Sequence, residues 1–344
     1  MNADFLENPA ENRAALPRET TLPLPNRFSR RAPAKLNLML AVTGTRADGF
    51  HELVSLVVPV PALFDELELQ LCPGDAEDSL ECVSAAPLPQ NSARSVASPA
   101  HDFARGVPVD ASNLVLRAAA AFRKLVPAFP RVKFLLKKGI PHGAGLGGGS
   151  SDASAALLLL ADAAGTFFGK KFDATFRLAL RELSATLGSD CPLFFAGKPV
   201  VMRGRGERLE MLSEAECNAL AAKKFLIFKP AFSVSTAEAY GAMKRAAPKF
   251  YTPADEAERR LAAWRAAPER APFPFFNDIE APVFQKFAAL PAIFEILRER
   301  FALDAHMSGS GSACFAEISE KTDVPAVADC VRECLGETAF FFAE

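Results

Sequence analysis

Apolar and polar positions alternate with a period of two between residues 31 and 43. Leu36, Leu38, Leu40 and Val42 fall on one face, and Lys35, Asn37, Met39 and Ala41 on the other. This period predicts a strand, because successive side chains of a strand point to opposite faces. Residues 53–60 and 65–71 predict two more strands, and 131–136 a fourth with Lys137 and Lys138 at its end. Further on the period changes. Residues 153–164 and 174–187 carry strong helix formers with an apolar stripe and predict helices. A helix also opens at Ser112, Asn113 and Leu114, with Ser112 as its expected cap. Residues 200–208 read as a hairpin. Residues 225–230 have the pattern of a buried strand, and the next helix starts with Ser235 or Thr236 as cap and Glu238 in its first turn. Residues 291–301 predict another helix, with its proline tolerated in the first turn.

Two segments lack such patterns. Residues 1–29 are polar, with prolines at 9, 17, 23 and 25, and predict a mobile tail. Residues 72–108 are rich in Pro, Ser, Ala and Asp and predict a long loop. Behind the tail, a first domain is expected over 30–220 and a second over 221–344, in an α+β chain.

The densest signal lies between the fourth strand and the helix at 153–164. Five glycines fall within Gly143–Gly149, followed by Ser150, Ser151 and Asp152. Glycine has no Cβ, so its backbone takes positive φ and lets an anion approach the N–H groups. A helix start adds unpaired N–H groups and a favourable dipole. Ser150, Ser151 or Asp152 is the expected cap. Strand, glycine loop and helix together point to phosphate. A Walker loop needs Lys and then Ser/Thr directly after its last glycine, and Gly149 is followed by Ser150, so that motif fails. Gly143, Gly145 and Gly148 fit the dinucleotide spacing, but Asp173 lies in a polar turn rather than at a strand end, as that fold requires. A flexible linker is the bland reading, and the helix formers that follow argue against it.

Residues 141–153 resemble the central motif of the GHMP kinases (galactose, homoserine, mevalonate and phosphomevalonate kinases), a family whose loop wraps ATP phosphates without a Walker sequence. Other motifs match in order. Pro33, Ala34, Lys35 and Asn37 match the first motif, and Arg46, Asp48, Gly49, Phe50 and His51 a turn that usually carries tyrosine at position 50. Gly188, Asp190, Pro192 and Phe194 match the motif with the family's aspartate, with Ser189 in place of alanine. Gly204, Gly206 and Glu207 match its hairpin, with bulky Arg205 between the glycines. Asn277, Asp278 and Glu280 match a structural helix start, and residues 307–315 a second glycine loop that closes over the site.

The resemblance implies a ribosomal-protein-S5-like N-terminal domain, a ferredoxin-like C-terminal domain and an active site in the cleft between them. It implies Lys35 and Asp190 as catalytic residues, with Asp190 also contacting the acceptor. It implies ATP held by Asn113, Lys138, Pro141, Gly143, Gly145, Leu146, Gly147, Gly148, Gly149, Ser150 and Ser151. The triple glycine, double serine and aspartate look most like the branch whose acceptor is a cytidine diphosphate-linked methylerythritol. Asn37, Phe50, His51, Thr236 and Tyr240 would hold that acceptor. Mg²⁺ would bridge phosphate oxygens, with Ser150, Ser151 or Asp152 nearest, and no protein ligand set is assigned to it. Each residue also has a plain reading: solvent exposure for Lys35 and Asn37, a structural histidine at 51, helix caps at Asn113 and Asp190, a core aromatic at Tyr240. Another acceptor (mevalonate, homoserine or a sugar), a non-catalytic binding member of the family and, more distantly, an NAD enzyme stay open.

Composition sets limits on this picture. The 344 residues are 50% apolar and 23% charged, which is globular, and the formal net charge of −2 gives no reason to expect nucleic acid or a membrane surface as partner. The apolar run at 53–64 is broken by Pro59 and Pro61 and is too short to span a bilayer. Asp4, Glu7 and Glu11 do not suit a secretory signal. Seven cysteines without a C-x-x-C and four scattered histidines give no zinc spacing, and a reducing cytoplasm is expected.

Overall fold

The computed structural model describes residues 26–72, 77–85, 102–169, 173–337 and 339–343. Most of the expected tail, and the parts 73–76 and 86–101 of the expected loop, lie outside the described residues. In chain order the elements are β1 (Arg27–Thr45), β2 (His51–Cys72), β3 (Ser79–Ser84), α1 (Leu114–Leu125), β4 (Arg131–Lys138), α2 (Gly148–Phe168), α3 (Ala174–Leu187), α4 (Cys191–Ala196), β5 (Val200–Gly204), β6 (Arg208–Met211), α5 (Glu214–Ala221), β7 (Lys224–Lys229), α6 (Thr236–Ala246), α7 (Ala254–Arg265), β8 (Phe276–Asn277), α8 (Glu280–Lys286), α9 (Ala289–Phe301), β9 (Ala305–Met307), β10 (Cys314–Ile318), α10 (Val324–Leu335) and β11 (Phe340–Ala343). The chain is α+β, as expected.

The first sheet runs β3-β4-β2-β1-β8, with the β5–β6 hairpin added to β2. The second runs β11-β7-β10-β9, all antiparallel, which is the ferredoxin-like order. The sheets are stitched together: β8, from the last third of the chain, pairs in parallel with β1 at Met39 and Leu40.

β1 departs from the sequence pattern in two ways. It begins at Arg27, inside the expected tail, because Arg27–Ala32 pairs with β2 up to Gln70. Its alternation also changes phase. Asn37 faces Val57 and Met39 faces Leu56, so Leu38 is an extra residue in the ladder. Such a bulge shifts every later side chain to the other face. Leu36 and Leu38 therefore share a core with Met39 and Ala41, while Leu40 and Val42 join a different core. The expectation that the four aliphatic residues share one face is corrected accordingly. The shift places Leu40 beside Lys35 and Asn37 along one cavity.

Two caps also differ from expectation. Asn113, not Ser112, caps α1: its Oδ1 accepts from Val115 N at 2.8 Å, while Ser112 is occupied with Asp110. None of Ser150, Ser151 and Asp152 caps α2. The helix begins at Gly148 behind Gly147, whose φ is 73°, and no side chain caps it. The expected loop at 72–108 contains β3, whose residues pair in parallel with β4. The 21-residue α2 is apolar enough by composition to cross a membrane, but it lies in the core, against β1, α1 and α4.

Candidate active site

A cavity of about 1000 Å³ opens where the glycine loop, β1, α4, the β1–β2 turn, the β5–β6 turn and α6 converge. Of the residues expected to catalyse or to hold ATP or the acceptor, all line it except Ser151. That serine is buried, its hydroxyl without a partner among the described residues.

The loop has the backbone that its glycines allow. Gly143, Gly145 and Gly147 all have positive φ, between 63° and 76°. A Cβ at Gly145 would sit 2.2 Å from the Ser308 carbonyl oxygen, and one at Gly147 would press on Lys35 Cγ at 2.9 Å. Because α2 has no side-chain cap, its first N–H groups stay available to a ligand.

Lys35 reaches under this loop from β1. Its buried ammonium donates to Asn37 Oδ1 and, at 2.7 Å, to Gly145 O, and lies 4.0 Å from Asp190 Oδ2. Burial lowers its pKa, and the Asp190 charge opposes that shift. Asp190 stands at the head of α4, but its side chain makes no capping bond. Its carboxylate is 39% exposed and faces the cavity. The plain reading of Asp190 as a cap fails on this point. Asn37 is held in turn: its Nδ2 donates to Ser55 Oγ at 2.9 Å, and Ser55 donates to Met39 O.

Lys138 is more deeply engaged than the sequence suggests. It pairs with Asp65 and, at 2.9 Å, with Asp152, all three side chains being nearly inaccessible. Asp65 also accepts from the N–H groups of Gly139 and Ile140 at 2.7 and 2.8 Å, and so fixes the chain where β4 turns into the loop. Burial pushes Asp152 up, Lys138 pulls it down, and nearby Asp65 adds to the rise. Burial works against the Lys138 charge too, but its two carboxylates outweigh that and raise its pKa. Asp65 escaped the sequence reading; its signal is an acid on the buried face of β2, in step with Leu67 and Leu69, where an unpaired charge is not tolerated.

The second glycine loop braces the first. Ser308 Oγ donates to Gly145 O at 3.1 Å, Ala313 N donates to Ala144 O at 2.9 Å, and the Ser310 and Thr236 hydroxyls meet at 2.9 Å. Asn277 holds this loop through the Met307 and Gly309 carbonyls, both at 2.7 Å, and Glu280 accepts from Met307 N at 2.6 Å. The motif expected to start a helix thus also clamps the site.

At the far end the lining becomes aromatic. Phe50 is half exposed, and the His51 ring centroid lies 5.2 Å from that of Tyr240 and 5.9 Å from that of Tyr251. Tyr251 was not foreseen; its edge holds the imidazole from the side. His51 lines the cavity, and its Nε2 is buried with no partner among the described residues. Burial, with the Lys244 charge beside it, keeps this imidazole below its usual pKa.

A phosphate cradle, a lysine–carboxylate pair at its mouth and an aromatic recess beyond describe a small-molecule kinase without a Walker loop. The GHMP kinases N terminal domain matches residues 113–198 and the GHMP kinases C terminal domain residues 254–337. The chain belongs to the GHMP kinase family. Among its relatives is the 4-diphosphocytidyl-2-C-methyl-D-erythritol kinase of Porphyromonas gingivalis, 33% identical over 304 residues, which cover 87% of this chain and 96% of that one. The enzyme of the same name from Methylacidiphilum infernorum is 34% identical over 294 residues, covering 84% and 86%. A crystal structure of 4-(cytidine 5'-diphospho)-2C-methyl-D-erythritol kinase superposes with a TM-score of 0.64 at 30% identity, over 92% of this chain and 98% of that one. Homoserine kinase from Cytophaga hutchinsonii, at 14% identity and a TM-score of 0.60 over 95% and 97% of the two chains, shares the fold.

Proposed function

We propose that this chain transfers the γ-phosphoryl group of ATP to the 2-hydroxyl of 4-diphosphocytidyl-2-C-methyl-D-erythritol, giving the 2-phosphate and ADP, a step of non-mevalonate isoprenoid precursor synthesis. The observation that carries the reading is the meeting of Lys35 and Asp190 at the mouth of the glycine loop. They lie 155 positions apart in sequence and are brought together by the fold.

Phosphoryl transfer needs positioning and charge neutralisation more than covalent help from the protein. The N–H groups of the loop and of the open α2 terminus receive the β- and γ-phosphates. Asn113 and Pro141 line the cavity on the nucleotide's side. Asp190 accepts the proton of the acceptor hydroxyl as its oxygen bonds to the γ-phosphorus and the bond to the ADP oxygen breaks. Lys35 balances the charge on Asp190 and on the group in flight. Ser150, which lines the cavity, and Asp152, whose Oδ1 has no partner among the described residues, are the groups that would hold Mg²⁺. When bound, the ion would neutralise phosphate oxygens. At the aromatic end, His51 Nε2 is placed to read a base edge, with Phe50 and Tyr240 offering ring faces.

The test is ADP release by purified protein with Mg²⁺-ATP and a panel of acceptors. Turnover with the cytidine-linked substrate and none with mevalonate, homoserine or galactose is expected. Preference for any of the latter would reassign the acceptor, and no turnover with any would mark a non-catalytic member.

A further inference from the structure

The rim of the acceptor end consists of two turns riveted by ion pairs. Arg46 donates to Glu52 at 3.0 Å and lies 3.7 Å from Glu207 across the gap between the β1–β2 and β5–β6 turns. Arg208 reaches Glu52 from the other side. Two cations on this rim are different. Arg205 and Lys244 make no ion pair and no side-chain hydrogen bond among the described residues, and both line the cavity. Arg205 rests its guanidinium 5.2 Å from the centroid of the Phe50 ring. Lys244 follows Tyr240 by one turn of α6, so the two share a face, and its charge reaches His51. The carboxylates of Asp48 and Glu207 lie within electrostatic range of Arg205 but do not bind it.

Unpaired cations beside an aromatic recess suit a ligand whose flat ring is followed by negative charge. We infer that Arg205 and Lys244 hold the diphosphate of the acceptor, so that the site selects a nucleoside diphosphate conjugate over the nucleoside alone. This rests on the acceptor reading proposed above. It assigns a role to Arg205, the bulky residue between two glycines that both adopt positive φ. The guanidinium rests on Phe50 by cation–π attraction, at hand for the phosphates. Arginine suits the task because its planar fork meets phosphate oxygens in pairs while its face stays on the ring.

The inference is tested by calorimetric titration of the full chain with cytidine, CMP and CDP, at low and high salt. Wild-type protein should bind CDP more tightly than cytidine by on the order of tenfold to a hundredfold, the scale of charge-assisted hydrogen bonds. Arg205→Met and Lys244→Met should each remove much of that margin while moving cytidine affinity less than about twofold, and Arg205→Lys should keep part of it. Both side chains are exposed, so the variants should fold. A CDP margin that survives in the double variant overturns the inference while leaving the acceptor reading in place. A wild-type protein that binds none of the three overturns both.

Discussion

At the donor end of the cavity, Lys35, Lys138, Asp65 and Asp152 are all buried, and every lysine charge there is met by a carboxylate or carbonyl. At the acceptor end, Phe50, Arg205 and Lys244 are exposed, and the two cations make no ion pair among the described residues. On the reading proposed above, the donor end would face a ligand part common to many kinases, a triphosphate. It is preorganised, with donors fixed before the ligand arrives, which is where electrostatic stabilisation of transfer is most effective. On the same reading, the acceptor end would meet the part that differs between substrates, and Phe50, Arg205 and Lys244 there are exposed.

If that contrast is right, damage at the donor end should be severe and damage at the acceptor end graded. The largest effect is expected from Gly147→Val. A β-branched residue at φ 73° beside Lys35 is strained in both backbone and contacts, and nucleotide binding should be lost by calorimetry while circular dichroism keeps the native signal. Unchanged ATP affinity in this variant would take the loop out of the nucleotide site. Asp190→Asn comes next, with kcat reduced on the order of 10²–10⁴ and the fold kept, since the carboxylate caps nothing and Lys35 retains Asn37 and Gly145 O. Near-normal turnover would show that another group takes the proton.

Asp65→Ala probes the donor end without touching substrate. It strands the Lys138–Asp152 pair and two loop N–H groups, and should cost about 3–5 kcal/mol in denaturant unfolding. A loss under about 1 kcal/mol, the scale of an exposed pair, would mean the loop is held by other contacts.

The smallest effect concerns pH at the acceptor end. The His51 pKa lies below its ordinary 6.5 in the folded protein, so the ring is neutral at pH 7. The folded state resists protonating it, so its contribution to stability is complete above the unfolded value of 6.5 and is lost as pH falls through the lower folded value. Cytidine affinity should therefore be flat above that point and weaken only in more acid solution. His51→Ala should bind more weakly but without this acid limb, and a limb that persists would assign it to another group.

Much of the donor end was legible in the sequence because it is local. Five glycines in seven positions, a strand before them and helix formers after them describe the cradle without any tertiary information. The Lys35–Asp190 meeting was legible only through resemblance, since nothing local ties a strand lysine to an aspartate ahead of a proline. What stayed hidden is what depends on tertiary pairing. The Leu38 bulge leaves no mark in the alternation of residues 31–43, because either phase places aliphatic side chains inside. The missing cap on α2 reverses a sound local rule: left-handed Gly147 starts the helix ahead of the three candidates, so Ser150, Ser151 and Asp152 fall inside it, and Asp152 is taken by Lys138. Asp65 and Tyr251 act through partners remote in sequence; alternation puts Asp65 on the buried face of β2 but does not name Lys138, and nothing in the pattern marks Tyr251.

β8 contributes only two residues to the first sheet, yet with it Asn277, Asp278 and Glu280 bond to β1 and to the loop at Met307–Gly309. Cleaving the chain near position 220 should therefore yield complementing halves rather than autonomous modules. Each half would lack groove-forming backbone that only the other supplies, and catalysis should return when the two are refolded together.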